Sequence, residues 1–287
     1  MAQQHTTSDL PGIPRIWTGK QPIGVFDSGI GGLTVAAALR ALLPQENIFY
    51  IGDTARVPYG GKSQQTIERY ASEISEMLLA ENAKMIVVAC NTASALAIPR
   101  LHQSLEIPVT GVILPGAKAA VAATRNGHVG VIGTRGTIRS GAYERAIQTL
   151  APEVRVTSQA CPMLVPVIEE GWLDDGITGS IIARYLDDLV ESGIDTLVLG
   201  CTHYPLLKPA LARFLGDGIR LVDSAENCAL AVRQLLEQYS IAAPEEQEGT
   251  LRVTLTDASD GFLPVAEKAL GLKVGRVRIV GVPSSAM

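Results

Sequence analysis

Short apolar runs alternate along the chain with longer segments whose apolar residues recur at helical spacing. The runs at residues 23–26, 85–89 and 197–199 are almost wholly apolar, which is typical of parallel strands buried on both faces. Residues 63–81 instead place Ile67, Ile74, Met77 and Leu78 on one face, which predicts a long amphipathic helix. Strands and helices in alternation indicate an α/β protein.

The same pattern begins again in the middle of the chain. An apolar strand followed by a glycine-rich loop occurs at residues 23–32 and again at residues 128–137. An apolar run that ends in a cysteine and small polar residues occurs at Cys90 and again at Cys201. We therefore expect two similar halves, each built from strands and helices in turn.

The two ends of the chain depart from this pattern. Residues 1–20 are polar and punctuated by proline and glycine, so we expect a disordered N-terminal extension without the features of a signal peptide. After a polar linker at residues 241–250 we expect a strand at 251–256, a helix at 262–270 and a strand-like segment at 273–280. These elements are too few to fold alone and should pack on one of the halves.

Composition narrows the classes of protein that the chain can belong to. Hydrophobic residues make up 47% and charged residues 18% of its 287 residues, so a soluble, well-packed and cytoplasmic protein is expected. No apolar run approaches the roughly 20 residues that cross a bilayer, and we expect no membrane partner. The net charge of −5, without a cluster of Lys and Arg among aromatic residues, argues against nucleic acid as a partner.

Two of the four cysteines stand where chemistry is expected. Cys90 and Cys201 each end a predicted strand just before a predicted helix, where the helix dipole should lower a thiol pKa from about 8.5 towards neutrality. Two such thiols facing one substrate could remove a proton from one face of a carbon and return a proton to the other face. Asp27 and His203 are the groups available to assist them, although Asp27 could instead cap the helix that follows.

Other interpretations of the same loops are weaker. The glycines at 29–32, with Asp53 as a ribose ligand, suggest dinucleotide binding, but Thr34 replaces the third glycine and Asp27 would repel a pyrophosphate. Gly60-Gly61-Lys62-Ser63 ends like a phosphate-binding loop, yet position 56 is Arg. Cys201 and His203 alone are too few ligands for zinc. We expect neither a cofactor nor a metal, and the alternative to an enzyme is a protein that binds a small amino acid in a cleft.

At these residues the sequence closely resembles glutamate racemases, cofactor-independent enzymes that supply D-glutamate for peptidoglycan. The resemblance runs from about residue 23 to 279. It is carried by several blocks of sequence: residues 23–35, 57–60, 88–93, 132–137, 160–171 and 199–207, and the tail from 253 onward.

The resemblance implies roles for individual residues. Cys90 would exchange the proton of the D-substrate with help from Asp27, and Cys201 that of the L-substrate with help from His203. A further set would bind the substrate: Asp27, Ser28, Tyr59, Gly60, Asn91, Thr92, Thr134, Thr137, Glu169, Thr202 and His203. Either Glu169 or its neighbour Glu170 corresponds to the family's glutamate near the site.

The resemblance also implies an architecture and partners. We expect an α/β fold of two similar doubly wound parallel-sheet domains that face each other across a cleft. The first would comprise residues 21–112 plus 225–287 and the second residues 113–224. Glutamate would be the substrate, a peptidoglycan precursor could act as an activator, as in some members with an N-terminal extension, and we expect a homodimer.

Overall fold

The computed structural model describes residues 18–258, 267, 271, 274 and 276–282. The predicted disorder of residues 1–17, and the predicted helix at 262–270 apart from residue 267, lie outside these residues. Residues 18–20 lie against the first sheet, where Lys84 Nζ donates a hydrogen bond to the carbonyl of Gly19 at 2.9 Å.

Within the described residues, ten strands form two parallel sheets. The strands are β1 (Ile23–Asp27), β2 (Ile48–Gly52), β3 (Met85–Val88), β4 (Val109–Gly111), β5 (His128–Gly133), β6 (Arg155–Ala160), β7 (Thr196–Gly200), β8 (Arg220–Asp223), β9 (Leu251–Leu255) and β10 (Arg278–Ile279). The six-stranded sheet has the order β10-β9-β2-β1-β3-β4, and the four-stranded sheet has the order β6-β5-β7-β8.

Helices connect the strands and cover the sheets. They are α1 (Leu33–Leu42), α2 (Gln64–Ala80), α3 (Asn91–Ser104), α4 (Ile113–Ala123), α5 (Arg135–Ser140), α6 (Ala142–Leu150), α7 (Leu164–Glu169), α8 (Gly176–Glu191), α9 (Lys208–Leu215) and α10 (Ser224–Gln238). None of the helices in the described part of the chain is long and apolar enough to span a membrane.

The predicted amphipathic helix is confirmed as α2. The Ser63 side chain caps it by accepting a hydrogen bond from the backbone N–H of Thr66 at 3.3 Å. Ile67, Ile74 and Leu78 are fully buried on the face that packs against the first sheet. The apolar spacing in the sequence therefore reports the buried face of this helix.

The two sheets repeat one plan, which confirms the prediction of two similar doubly wound halves. In each sheet, the first strand lies between the second and the third, and the fourth lies beyond the third: the orders are β2-β1-β3-β4 and β6-β5-β7-β8. Both first strands carry a glycine that a helix approaches closely: an added Cβ would lie 3.2 Å from Leu78 Cβ of α2 at Gly24 and 3.3 Å from Leu189 Cδ2 of α8 at Gly130. The tail then returns to the first sheet, where β9 pairs with β2 in parallel.

One carboxylate holds the turn that enters the second sheet. Asp195 accepts hydrogen bonds from the hydroxyls of Thr124 (2.7 Å) and Thr196 (2.9 Å) and from the backbone N–H groups of Arg125 (2.6 Å) and Asn126 (2.7 Å). Partial burial opposes ionisation, but these donors outweigh it and lower the pKa of Asp195 to about 2.

Asp195→Asn should lower the free energy of unfolding at pH 7 by roughly 1–2 kcal/mol, since an amide cannot accept all four hydrogen bonds. The folded-state pKa lies below the ordinary 3.8, so this contribution is present above that pH and is lost as pH falls towards about 2. Urea unfolding of both proteins at pH 7 and at low pH measures this contribution to the free energy of unfolding. The exposed Asp217→Asn is the control, and an equal deficit for Asp195→Asn at both pH values would contradict the explanation.

Candidate active site

A cavity of about 320 Å³ lies between the carboxyl ends of the strands of the two sheets, where ligands bind in doubly wound folds. Most of the predicted site residues line it: Ser28, Tyr59, Gly60, Cys90, Asn91, Thr92, Thr134, Glu169, Cys201, Thr202 and His203. Asp27 and Thr137 are buried behind its wall, hydrogen-bonded to residues that line it.

Cys90 follows β3 and stands at the N-cap of α3. Its Sγ lies 3.6 Å from Ser28 Oγ, and the residue is 5% exposed. Burial, together with the charge of Asp27, raises the pKa of Cys90 to about 12, against the opposing hydrogen bonds of the Ala93 N–H and the Ser28 hydroxyl. The prediction that the helix dipole lowers the pKa of Cys90 is therefore wrong, and Cys90 is a thiol at neutral pH.

Cys201 follows β7, but the predicted helix does not begin there. A 3₁₀ turn, Tyr204–Leu207, comes first, and α9 begins only at Lys208. Cys201 Sγ instead lies 3.9 Å from His203 Nδ1. An imidazole, rather than a helix dipole, is the polar partner of this sulfur.

His203 is held between a sulfur and a carboxylate. Its Nε2 lies 3.1 Å from Glu169 Oε1. Burial lowers the pKa of His203, but the hydrogen bonds with Cys201 and Glu169 and the charge of Asp27 outweigh burial and raise the pKa to about 10. His203 therefore carries a positive charge at neutral pH. Of the two neighbouring glutamates, Glu169 lines the cavity, and Glu170 is exposed.

Asp27 ends β1 and joins the two halves behind the cavity. Its Oδ2 accepts from the backbone N–H of Gly29 at 2.9 Å, and its Oδ1 accepts from the Thr202 hydroxyl at 3.3 Å. Burial raises the pKa of Asp27, against the charge of His203 and these hydrogen bonds. The alternative role as a helix cap does not hold, because the N-cap of α1 is Gly32.

Three threonine hydroxyls form a second link between the halves. Thr92 Oγ1 lies 2.9 Å from Thr134 Oγ1 and 3.2 Å from Thr137 Oγ1, and the last two lie 3.1 Å apart. Thr134 also caps α5 by accepting from the backbone N–H of Thr137. Hydroxyl groups can donate or accept, so this cluster can adjust to an anionic ligand.

The loop after β2 forms another wall of the cavity. The Tyr59 hydroxyl donates to Asp53, which also bonds to Arg56 and to Thr256. Asp53 is buried, and its oxygens are already hydrogen-bonded to these residues. It is therefore not available to bind a ribose, as the dinucleotide interpretation requires. Gly60 approaches Thr134 of the other half so closely that an added Cβ would lie 2.8 Å from Thr134 Cβ.

The sequence did not single out several lining residues. Arg135 is an exposed residue at the lining, and apolar side chains cover much of the wall. The apolar and glycine positions are Val57, Pro58, Gly61, Pro162, Val165 and Pro166. Arg135 follows the predicted ligand Thr134 directly, which is the signal that could have identified it.

Gly31→Ala should reduce catalytic turnover roughly a hundredfold, because misplacing a reacting group by about 1 Å has that effect. A Cβ at Gly31 would lie 2.4 Å from His203 Cε1 and Nδ1 and 2.8 Å from Thr202 Oγ1, so the imidazole must move. Steady-state kinetics of the purified variant test this. The control is Gly29→Ala in the same loop, whose Cβ would make an ordinary 3.6 Å contact with Val57; equal activity in the two variants would refute the argument.

Comparison with known proteins gives a consistent set of relatives. Residues 33–233 match the family model described as Asp/Glu/Hydantoin racemase. A glutamate racemase of Geobacter metallireducens is 51% identical over 255 residues, which is 89% of this chain and 94% of the relative. The structure of a glutamate racemase from Francisella tularensis in complex with D-glutamate aligns with a TM-score of 0.86 at 36% identity, covering 93% of this chain and 99% of that one. The Escherichia coli glutamate racemase, in complex with L-glutamate and the activator UDP-MurNAc-Ala, aligns with a TM-score of 0.75 at 31% identity, covering 91% and 99%.

Proposed function

Because this chain belongs to the Asp/Glu/hydantoin racemase family and is a racemase acting on glutamate, we propose that it interconverts L- and D-glutamate through two opposed cysteines. The observation that carries the proposal is the placement of Cys90 and Cys201. They follow equivalent strands, β3 and β7, of two similar sheets, and both line one cavity. Equivalent thiols on the two sides of a substrate suit a reaction that inverts one carbon.

The protonation of the site favours a starting state for the L-to-D direction. Cys90 is a thiol, and the charged imidazole of His203 lies 3.9 Å from the Cys201 sulfur, so we assign Cys201 as the base in this direction. Cys201 then removes the α-proton of L-glutamate, and the electron pair of that C–H bond stays on the α-carbon. Cys90 donates its proton to the opposite face, so D-glutamate forms and Cys90 becomes the thiolate. The reverse reaction begins from that second protonation state.

Asp27 and His203 assist these steps in different ways. His203 lies beside Cys201 and can stabilise its thiolate directly. Asp27 acts on Cys90 through its charge, which favours the protonated thiol that the L-to-D step requires.

The polar lining suits the charged groups of glutamate. We propose that the Asn91 amide and the hydroxyls of Thr92 and Thr202 bind one carboxylate, and that Ser28 and the Tyr59–Gly60 turn bind the rest of the substrate. Asp27, buried behind the cavity wall, acts on the substrate through Thr202, whose hydroxyl donates to it. Thr134 and Thr137 extend this hydroxyl network, and Glu169 orients His203. The apolar wall limits access of water, and this strengthens the electrostatic interactions that stabilise the carbanion-like transition state.

The cellular role and the organisation of the chain follow as further parts of the proposal. The enzyme would supply D-glutamate for peptidoglycan synthesis in the cytoplasm, without a cofactor. Its cavity would lie between one domain of residues 21–112 plus 225–287 and another of residues 113–224. We propose a homodimer, supported by the exposed apolar side chains of Met163, Trp172 and Ile177 within one short segment. Light scattering after size-exclusion chromatography measures the assembly state.

Proton NMR in D₂O tests the reaction itself. L-glutamate and D-glutamate are incubated separately with the protein and a thiol reductant, without an added cofactor, and the products are separated by chiral chromatography. We expect the α-proton signal to disappear in both runs as the opposite enantiomer appears. A run repeated with UDP-MurNAc-Ala, the activator of the Escherichia coli relative, tests whether a cell-wall precursor increases the rate. Unchanged glutamate under both conditions would overturn the proposal in favour of an amino-acid-binding protein.

A further inference from the structure

Only the oxygen of the Asn91 side-chain amide has a hydrogen-bond partner among the described residues. Asn91 is 2% exposed and lines the cavity. Its Oδ1 accepts a hydrogen bond from the Tyr143 hydroxyl at 2.7 Å. Its Nδ2 is buried and has no hydrogen-bond partner among the described residues. A buried amide nitrogen without a partner is unfavourable, so a ligand that accepts a hydrogen bond there removes this unfavourable contribution.

Tyr143 is built to act as a donor at this point. It is 2% exposed, and burial raises its pKa, so the hydroxyl remains neutral and keeps its proton. Its ring is closely confined: an added Cβ on Gly116 or on Gly200 would lie 3.1 Å from a ring carbon. The hydroxyl is therefore presented to Asn91 by a side chain that has little room to turn.

The direction in which the amide faces determines what it can bind. With Oδ1 towards Tyr143, the Nδ2 group offers hydrogen-bond donors to a carboxylate, whereas the opposite orientation would turn a carbonyl oxygen towards it. A carboxylate ligand repels that oxygen. Fixing one orientation before the substrate arrives avoids the free-energy cost of selecting it during binding.

We infer that Tyr143 is a positioning residue that fixes the Asn91 amide so that Nδ2 meets a carboxylate of the substrate. The inference rests on the proposed function, because glutamate supplies that carboxylate. Tyr143 lies on α6, beside the four-stranded sheet, and Asn91 begins α3, beside the six-stranded sheet. The hydrogen bond thus crosses between the halves, and the amide is held in this orientation when the two halves are in contact.

Tyr143→Phe removes the hydroxyl and keeps the ring. We expect KM to rise about tenfold for both enantiomers, the change that a loss of about 1.4 kcal/mol produces, while kcat changes less than threefold. Asn91→Ala should raise KM at least as much. Because Tyr143 acts through Asn91, adding Tyr143→Phe to Asn91→Ala should raise KM no further. Tyr185→Phe is the control: it removes a hydroxyl that accepts from the Met163 N–H and should leave KM unchanged.

The side-chain ¹⁵N resonance of Asn91 gives a second measurement in the unmodified protein, which does not depend on the folding of a variant. It should shift when D-glutamate is added. A wild-type protein that does not racemise glutamate would defeat the proposed function itself. If the wild type is active and Asn91→Ala raises KM, an unchanged KM in Tyr143→Phe, additive effects in the double variant or an unmoved Asn91 resonance would each overturn the positioning role.

Discussion

Alanine in place of Cys90 or Cys201 should reduce racemisation in both directions by at least roughly a thousandfold, within the range that acid–base groups contribute. Inversion needs one group to take a proton and another to give one, so loss of either sulfur stops both directions. Serine should be almost as damaging, because a hydroxyl ionises far less readily than a thiol at neutral pH. Chiral chromatography of the product from each enantiomer measures the loss.

A third cysteine provides the matched control for these variants. Cys228 is buried on α10, with its Sγ 3.9 Å from the carbonyl of Gly111, and burial raises its pKa to about 12. It shares the burial of Cys90 but does not line the cavity. Cys228→Ala should therefore keep near-normal turnover with a lower Tm. Near-normal turnover in Cys90→Ala or Cys201→Ala, in protein that unfolds like the wild type, would contradict the two-cysteine mechanism.

Replacement of His203 by Gln should have the next largest effect, a loss of roughly a hundredfold or more in turnover of L-glutamate. The charged imidazole lies 3.9 Å from Cys201 Sγ, and a neutral amide would no longer stabilise the thiolate that starts this direction. Turnover of D-glutamate, which starts from Cys90, should fall less. Initial rates at saturating concentrations of each enantiomer separate the two effects, since the equal free energies of the enantiomers keep kcat/KM equal in the two directions. An equal fall in both kcat values would contradict the pairing of His203 with Cys201.

Glu169→Gln is a milder variant that tests the role of His203 through the pH dependence of activity. Glu169 is 41% exposed at its side chain and helps to keep the pKa of His203 at about 10. Its loss should lower that pKa, so activity should decline at a lower pH on the alkaline side than in the wild type. An alkaline limb that stays in place would show that His203 does not control it.

The sequence predicted elements whose determinants are local. The spacing of Ile67, Ile74 and Leu78 identified α2, and the repeat of a strand and a glycine-rich loop at residues 23–32 and 128–137 marked the two similar halves. Both cysteines were correctly placed at the carboxyl ends of parallel strands. These features depend on periodicity and on the order of residues, which are visible without tertiary structure.

What the sequence could not predict depends on tertiary packing. The pKa of Cys90 is raised because burial and Asp27 outweigh the backbone N–H groups of α3. The 3₁₀ turn at Tyr204–Leu207 delays the helix after Cys201. Thr137 lies behind the cavity wall rather than in it. Neither the depth of burial nor the side of a wall on which a residue lies is set by its immediate neighbours in the chain.

The return of the chain to its first sheet has a consequence for the nascent protein. The four strands of the second sheet are made in succession, but β2 must wait for β9, its partner in the completed sheet. At about 5–20 residues per second, that wait lasts on the order of 10–40 s. Throughout it, the outer edge of β2 has unpaired backbone groups, which can pair with another chain. Strand β9, made after every residue that lines the catalytic cavity, thus closes this exposed edge.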